Sequence, residues 1–284
     1  MIANPHVKVN LGLSVLRKRP DGYHDLETLF VPYKEIHDVL EIVAGDDYSH
    51  TSASLFARYG EGEIAQAISE DGKLMITIAR KEGVDWDPLK DLTARAYFLL
   101  AADFDLPPVK IFLEKLSPVG AGLGGGSSDA AFALMMINDM FSLGLDKPAL
   151  ARYAAELGSD CAFFVFDGPM FGEGRGEILS PYEGEAVPQG YELKVIVPED
   201  VAVSTADAYR GIVPIENGQR PVSLREALAR PVVEWKDVLS NDFEKTVFAK
   251  HPELAAIKDS LYESGAVYAA MSGSGSALFA IYKV

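Results

Sequence analysis

The sequence predicts an α+β protein, because segments with strand and helix periodicity alternate along the chain without a strict βαβ rhythm. Its 284 residues are 48% apolar and 24% charged, which is enough for one large domain or two of ordinary size with a full core. The sequence contains no internal repeat and no low-complexity tract. Each predicted element follows from the local pattern.

The first part of the chain is expected to form strands. In "HVKVNLGLSVL", the apolar residues at 7, 9, 11, 13 and 15 share one face, while Lys8, Asn10, Gly12 and Ser14 share the other, which predicts a half-buried strand. After a turn at "RKRPDGYH", the segments "LETLFVPY", "DVLEIV" and "KLMITIA" predict further strands. Residues 48–71 give no clear pattern. Residues 89–103 have helical spacing, and "VKIFLEKL" predicts another strand.

The second half predicts helices and strands in irregular order. A buried helix is expected after the glycine-rich segment, ending near Gly144. "DKPALARYAAELG" predicts a helix capped by Asp146, with Pro148 in its first turn. We expect strands at "CAFFVF" and "ELKVIVP", helices near 222–229 and 242–263, and final strands at "AVYAAMS" and "ALFAIY".

Charge and composition exclude several kinds of partner. The formal net charge of −16 argues against nucleic-acid or anionic-membrane binding, because both need a basic surface. No apolar run approaches the ~18 residues of a membrane span, and the first residues lack a signal-peptide pattern. The single cysteine, Cys161, favours a reducing cytoplasm and is expected to fill the core. The sequence leaves open whether the protein is a monomer or a homodimer.

The segment "SPVGAGLGGGSSDAA", residues 117–131, is the strongest candidate for a binding loop. Asp139 has nearly the spacing of the acidic residue of a dinucleotide fold but lies inside the predicted helix, which disfavours that fold. The segment lacks the lysine of a Walker A loop, and the chain has no protein-kinase motifs. Glycines let successive N–H groups line one concavity, and the next helix adds its N-terminal amides. The segment therefore predicts a cradle for phosphates; a flexible surface turn is the simpler alternative.

Several segments then indicate a family. "PVGAGLGGGSSDAA" resembles the glycine motif of the GHMP small-molecule kinases, which include galactokinase, homoserine kinase and mevalonate kinase. "VKVNLGLSVLRKRPDGYHDLETLF", "LGSDCAFFVFDGPMFGEGRGE" and the segment from "NDFEK" to "MSGSG" resemble signatures of the 4-diphosphocytidyl-2-C-methyl-D-erythritol kinase family within that superfamily. These blocks span nearly the whole chain in the family's order.

The resemblance implies a two-domain α+β kinase, with an N-terminal ribosomal protein S5 domain 2-like domain, a ferredoxin-like C-terminal domain and an active-site cleft between them. We expect the domains at residues 1–157 and 158–284. The implied reaction transfers the γ-phosphoryl group of ATP to the 2-hydroxyl group of the methylerythritol unit, a step of the non-mevalonate isoprenoid route. Another GHMP kinase with a small alcohol substrate, or a non-catalytic nucleotide-binding relative, is the alternative.

The resemblance also implies two catalytic residues. Lys8 matches the family's strand lysine and Asp160 the aspartate of its L-G-x-D motif. A carboxylate can take the proton of the attacking hydroxyl, and a nearby ammonium group keeps that carboxylate ionised. A solvated strand face for Lys8 and a turn position for Asp160 are the alternatives. The ATP-binding residues implied are Pro118, Val119, Gly120, Ala121, Gly122, Leu123, Gly124, Gly125, Gly126, Ser127 and Ser128.

The substrate-binding residues implied are Asn10, Tyr23, His24, Thr205, Tyr209, Gly273 and Ser274. We expect Tyr23 and Tyr209 to sandwich a pyrimidine, and His24 to select cytosine by hydrogen bonds; packing of the two tyrosines at a domain seam is the alternative. Mg²⁺ is expected to arrive on the phosphates of ATP, with an oxygen from Ser127, Ser128 or Asp129 and no dedicated metal site. Asp91 stands where the family has an asparagine near the adenine, which leaves that contact open.

Overall fold

The computed structural model describes residues 1–45, 47–199 and 201–284. Its residues divide into two compact units. The first unit contains residues 1–7, 33–119 and 124–167, and the second contains residues 8–32, 120–123 and 168–284. The chain therefore passes between the units several times. The family-based division after residue 157 stays a prediction, and these compact units do not follow it.

The first unit is a sheet with helices. Its strands are β1 (Ile2–Ala3), β4 (Val39–Ala44), β5 (Ile64–Ile68), β6 (Leu74–Ala79) and β7 (Val109–Glu114), in the order β1-β4-β7-β6-β5. Only the β6–β7 pair is parallel among the described pairs of this sheet. Its helices are α1 (Ser52–Arg58), α2 (Leu92–Asp103), α3 (Gly125–Met140) and α4 (Lys147–Leu157).

Both faces of this sheet are covered. On one face, Leu55 and Tyr59 of the α1 region pack against Val43, Ala79 and Phe112. The neighbouring strand residues point to the opposite face, where α3 packs against β4 and where α2, α3 and α4 pack against one another. Helix α3 begins at Gly125 and is buried along most of its length. Its N-terminus is therefore fixed by the packing of the rest of the helix.

The second unit contains most of one sheet and the whole of another. One has the order β2-β3-β8-β9, from β2 (His6–Lys18), β3 (His24–His37), β8 (Met170–Gly174) and β9 (Ile178–Pro181). The other has the order β10-β12-β11, from β10 (Tyr191–Ile196), β11 (Tyr268–Met271) and β12 (Leu278–Lys283). The helices are α5 (Thr205–Arg210), α6 (Leu224–Leu228), α7 (Trp235–Val238), α8 (Phe243–Lys250) and α9 (Pro252–Glu263).

Most sequence-predicted elements are present, and three expectations were wrong. "CAFFVF" forms a 3₁₀ helix, Cys161–Val165, because its apolar run packs on all sides and carries no strand alternation. The helix predicted over 242–263 is broken between α8 and α9, since Pro252 disfavours helical geometry at His251. Strand β2 is buried on both faces from His6 to Val15 rather than half-buried.

Candidate active site

The first part of the candidate site is the N-terminus of α3, in the first unit. Gly124 precedes the helix with φ of +73° and has no side chain to cap it. The first N–H groups of a helix have no intrahelical acceptor, and the helix dipole places partial positive charge there. Gly126 is exposed at this end. The arrangement is suited to an anion.

The polar residues after these glycines differ in exposure. Ser127 is half-buried. The Ser128 hydroxyl is buried and has no hydrogen-bond partner within the described part of the chain. Asp129 is 1% exposed and is ion-paired with Lys115 at 2.6 Å. Ser127 is therefore the only one of the three expected oxygen donors to Mg²⁺ that reaches the surface in the described structure.

Residues 120–123 of the glycine segment lie in the second unit. Gly122 has φ of +77°, and a Cβ atom there would lie 2.5 Å from the carbonyl oxygen of Ser272 and 3.0 Å from that of Gly275. The amide of Ala277 donates to the carbonyl of Ala121 at 3.1 Å. The segment Gly273–Gly275, which lies in the "MSGSG" signature, is thus packed directly against Gly122.

Lys8 lies in a buried polar cluster of the second unit. Its Nζ atom donates to Asn10 Oδ1 at 2.5 Å and to the carbonyl of Gly122 at 3.0 Å, and it lies 5.5 Å from the centroid of the Phe30 ring. Lys8 and Asn10 are each 3% exposed. A solvated strand face for Lys8 is therefore excluded, and the ammonium group has a defined direction.

Asn10 has both a positioning contact and a structural one. Its Nδ2 donates to Thr28 Oγ1 at 3.0 Å, and the Thr28 hydroxyl donates to the carbonyl of Gly12 at 2.7 Å. Its amide N–H donates to Ser272 Oγ at 3.2 Å. The local sequence pattern predicts no role for Thr28, although the residue lies within the quoted segment that ends in "DLETLF".

Asn241 is a second residue whose role local sequence patterns do not predict. Its Nδ2 donates to the carbonyl groups of Met271 and Gly273, both at 2.8 Å. It therefore holds the loop that packs against Gly122. The signal was its place in the quoted "NDFEK" segment.

Asp160 lies in the first unit, at the residue before the Cys161–Val165 3₁₀ helix, and is half-buried. Its charge contributes to raising the pKa of Cys161, although burial of the thiol is the main cause and raises that pKa to about 12. A buried, protonated thiol is a poor nucleophile. The pairing of Asp160 with Lys8 stays a prediction.

The residues expected at the pyrimidine form two groups. The rings of His24 and Tyr209 stack with centroids 4.8 Å apart and planes 19° apart. Both line an open cavity of about 360 Å³ with Lys18, Gly22 and Arg210 among its walls.

Tyr23 contacts a different partner. It is 56% exposed, with the Arg175 guanidinium group 5.0 Å from its ring centroid. Tyr209 is therefore stacked on His24 in this structure, and the expected role of Tyr23 as the second ring of a sandwich stays a prediction.

Other predicted substrate residues contact each other. The hydroxyl groups of Thr205 and Ser274 lie 2.9 Å apart. Thr205 is exposed at the start of α5, while Ser274 is 8% exposed.

Burial lowers the pKa of His24, with a smaller contribution from Lys18, so the imidazole is neutral at neutral pH and offers one donor and one acceptor.

Asp91 is occupied by structural contacts. Its Oδ1 accepts from the amide and the hydroxyl group of Thr93, at 2.9 Å and 2.7 Å, and so caps α2. Its Oδ2 accepts from the indole N–H of Trp86 at 3.1 Å. The aspartate that replaces the family's asparagine thus accepts a hydrogen bond from a tryptophan of the same chain.

His6 is 4% exposed and lies between the rings of Phe132 and Phe164. Across the described ranges, no three His, Cys, Asp or Glu side chains form a metal-binding group. Within the same ranges, no helix has the length and hydropathy of a membrane span.

Comparison with known families gives two matches. The model of the GHMP kinases N terminal domain matches residues 91–168, and that of the GHMP kinases C terminal domain matches residues 224–283. A 4-diphosphocytidyl-2-C-methyl-D-erythritol kinase of Bacteroides fragilis is 45% identical over 282 residues, covering 99% of this chain and 92% of the relative. The Bacteroides thetaiotaomicron enzyme of the same name is 44% identical, covering 100% and 92%.

Solved structures agree with these relatives. A crystal structure of 4-(cytidine 5'-diphospho)-2C-methyl-D-erythritol kinase superposes with a TM-score of 0.72 and 32% identity, over 99% of this chain and 89% of the other. A mevalonate kinase superposes with a TM-score of 0.65 at 12% identity, over 100% and 91% of the two chains. At that identity the second match shows a shared fold only.

Proposed function

The chain belongs to the family of 4-diphosphocytidyl-2-C-methyl-D-erythritol kinases, within the GHMP kinases, and we propose that it transfers the γ-phosphoryl group of ATP to the 2-hydroxyl group of 4-diphosphocytidyl-2-C-methyl-D-erythritol. This reaction is a step in the formation of isoprenoid precursors without mevalonate. The observation that carries the proposal is the full-length identity to kinases of that name. Homoserine and mevalonate kinases share the fold at much lower identity.

We propose that the triphosphate binds at the N-terminus of α3. The unpaired N–H groups of the first turn and the dipole of a 16-residue helix favour the negative charge. Mg²⁺ bound to ATP would neutralise part of the phosphate charge, with the Ser127 hydroxyl as its protein ligand and water in most other positions. Residues 118–124 immediately precede this first turn of α3.

We propose Asp160 as the general base and Lys8 as the cation at the reacting centre. A hydroxyl group is a weak nucleophile at neutral pH, and a positioned carboxylate that accepts its proton contributes about 10²–10⁴-fold. The ammonium group of Lys8, fixed by Asn10 and the Gly122 carbonyl, would stabilise charge developing on the transferred group. Asp160→Asn is expected to fold normally and to lose kcat by about that factor; near-normal turnover would refute the assignment.

The cytidine is proposed to bind at His24 and Tyr209. Their cavity contains a ring on which a pyrimidine can stack and an imidazole that can both donate and accept hydrogen bonds. Lys18 and Arg210 in the same lining offer positive charge for a diphosphate. Tyr23, Thr205, Gly273 and Ser274 remain further candidates for substrate contact.

A coupled assay of ADP release tests the proposed function. ATP is supplied alone, with the cytidyl substrate, with mevalonate and with homoserine. ADP release that depends on the cytidyl substrate is the expected result. Release with mevalonate or homoserine instead would identify another kinase of the fold, and nucleotide binding without release in any mixture would indicate a non-catalytic protein.

A further inference from the structure

A buried group of charged residues lies beneath the start of α3. Asp38, Lys115 and Asp129 are 0%, 7% and 1% exposed. Lys115 Nζ donates to Asp38 Oδ2 at 2.5 Å and to Asp129 Oδ2 at 2.6 Å. Asp38 precedes β4, Lys115 follows β7, and Asp129 lies in the second turn of α3, so the lysine joins three segments that are distant in sequence.

The same group binds the backbone at the beginning of the glycine segment. Asp38 Oδ1 accepts from the amides of Leu116 and Ser117, both at 2.6 Å, and its Oδ2 accepts from the Ser117 hydroxyl at 2.6 Å. The carboxylate is thus saturated by donors from one short stretch of chain. Residues 116–117 have little freedom to move.

Gly125, at the other end of residues 118–124, lies against the same group of side chains. A Cβ atom at Gly125 would overlap Ser117 Oγ and would lie 3.4 Å from Lys115 Nζ. Only glycine allows the first residue of α3 to approach this closely. Ser117 and Gly125, which bracket residues 118–124, are therefore held against each other by Asp38, Lys115 and Asp129.

Stability alone does not account for this group. Burying one ammonium and two carboxyl groups has a large desolvation cost, and well-packed apolar residues are often at least as stabilising. Although burial opposes it, attraction by Asp129 and Asp38 raises the pKa of Lys115, so the lysine is charged at neutral pH. What an ion-pair network provides beyond apolar packing is a defined geometry.

We propose that Asp38, Lys115 and Asp129 form a positioning clamp that fixes the two ends of the glycine segment and so presets the N-terminal amides of α3 for the phosphates of ATP. Asp38 and Lys115 are assigned no contact with the nucleotide, and Asp129, one of the expected oxygen donors to Mg²⁺, is instead buried against Lys115. The inference rests on the proposed function only in taking ATP as the ligand. It deepens that proposal by naming residues that act through the loop.

The test compares two variants at the link to α3. Lys115→Met with Asp129→Leu replaces the ion pair by apolar side chains and leaves Asp38 bound to residues 116 and 117. Because a loop that is no longer held in place must be ordered when ATP binds, we expect the Kd and KM for ATP to rise about tenfold or more. The KM for the alcohol substrate and kcat at saturating ATP should change little. Asp129→Asn keeps an oxygen for Lys115 and should retain most of the affinity for ATP.

Glu114→Gln is the matched control. Glu114, the residue before Lys115, is 4% exposed and pairs with Arg58 and the hydroxyl group of Tyr59. Its loss should lower the melting temperature without changing the affinity for ATP. A folded double variant with wild-type affinity for ATP would overturn the proposal, as would an Asp129→Asn protein as impaired as the double variant.

A second route remains if the double variant does not fold. Gly125→Ala directs a methyl group onto Ser117 Oγ and should weaken ATP binding, while the added change Ser117→Ala should restore part of it. Unchanged binding by Gly125→Ala would contradict the clamp. Because calorimetry measures ATP binding without the alcohol substrate, a protein that binds ATP but phosphorylates nothing would refute the proposed function and leave the clamp testable.

Discussion

Replacing Asn10 by leucine tests whether hydrogen bonds, rather than burial alone, hold the ammonium group of Lys8. The Asn10 side chain accepts from Lys8 Nζ at 2.5 Å and donates to Thr28 Oγ1 at 3.0 Å. Leucine is of similar size, so Asn10→Leu removes both bonds without opening a cavity. The ammonium group would keep its bond to the Gly122 carbonyl.

The expected loss of stability is the sum of the contributions of those two hydrogen bonds. A hydrogen bond to a charged group contributes about 1.5–3 kcal/mol and a neutral one about 1 kcal/mol. We therefore expect the free energy of unfolding, measured by urea denaturation, to fall by about 2.5–4 kcal/mol. We also expect kcat to fall, because the ammonium group of Lys8, the proposed cation at the reacting centre, loses its hydrogen bond to the Asn10 side chain.

A double-mutant cycle with Thr28→Val separates the contribution of the Asn10–Thr28 hydrogen bond from that of the Lys8–Asn10 hydrogen bond. The two residues share one hydrogen bond, so the coupling energy should be about 1 kcal/mol. Asn138→Leu is the control, since it removes a buried asparagine that accepts from the Leu145 amide at 2.9 Å and should lower stability without lowering kcat. A loss below about 1 kcal/mol for Asn10→Leu, or strict additivity with Thr28→Val, would refute this reasoning.

Three further predictions concern other residues. Burial raises the pKa of Cys161 to about 12, so its thiol should resist Ellman's reagent at mildly alkaline pH until urea unfolds the protein; rapid reaction of the folded protein would contradict this. Burial lowers the pKa of His6 below its usual 6.5, so the unfolded state gains the proton first, and the free energy of unfolding should fall as pH drops below about 6.5, less steeply in His6→Phe. Tyr209→Ala should raise the KM for the cytidyl substrate about tenfold or more and leave the KM for ATP unchanged; a change confined to ATP would oppose the stacking role.

Local rules predicted much of the fold. Strand β2, the Asp146 cap of α4 and the buried helix after the glycines are all present, because each depends on neighbours along the chain. Asp146 Oδ1 accepts from the Ala149 amide at 2.9 Å, as its position predicts. The hydrophobic run at Cys161–Val165 was misassigned because a short apolar stretch is compatible with either a strand or a buried helical turn.

The contacts that order the site could not be predicted from local patterns. Asn241 binds carbonyl groups about thirty residues later in the chain, and Lys115 joins Asp38 to Asp129. Such partners are set by tertiary packing, which periodicity and spacing do not encode. The glycine at 125 was found as part of a motif, but the reason for it, the close approach of Ser117, is visible only in the structure.

The most direct test of the central claim is the identity of the product. Purified protein is incubated with Mg²⁺, ATP and 4-diphosphocytidyl-2-C-methyl-D-erythritol, and phosphorus and proton NMR spectra locate the new phosphate. We predict one new phosphomonoester, on the 2-hydroxyl group of the methylerythritol unit, together with an equal amount of ADP. A phosphate on another hydroxyl group, or ADP formed without any phosphorylated cytidyl compound, would contradict the account.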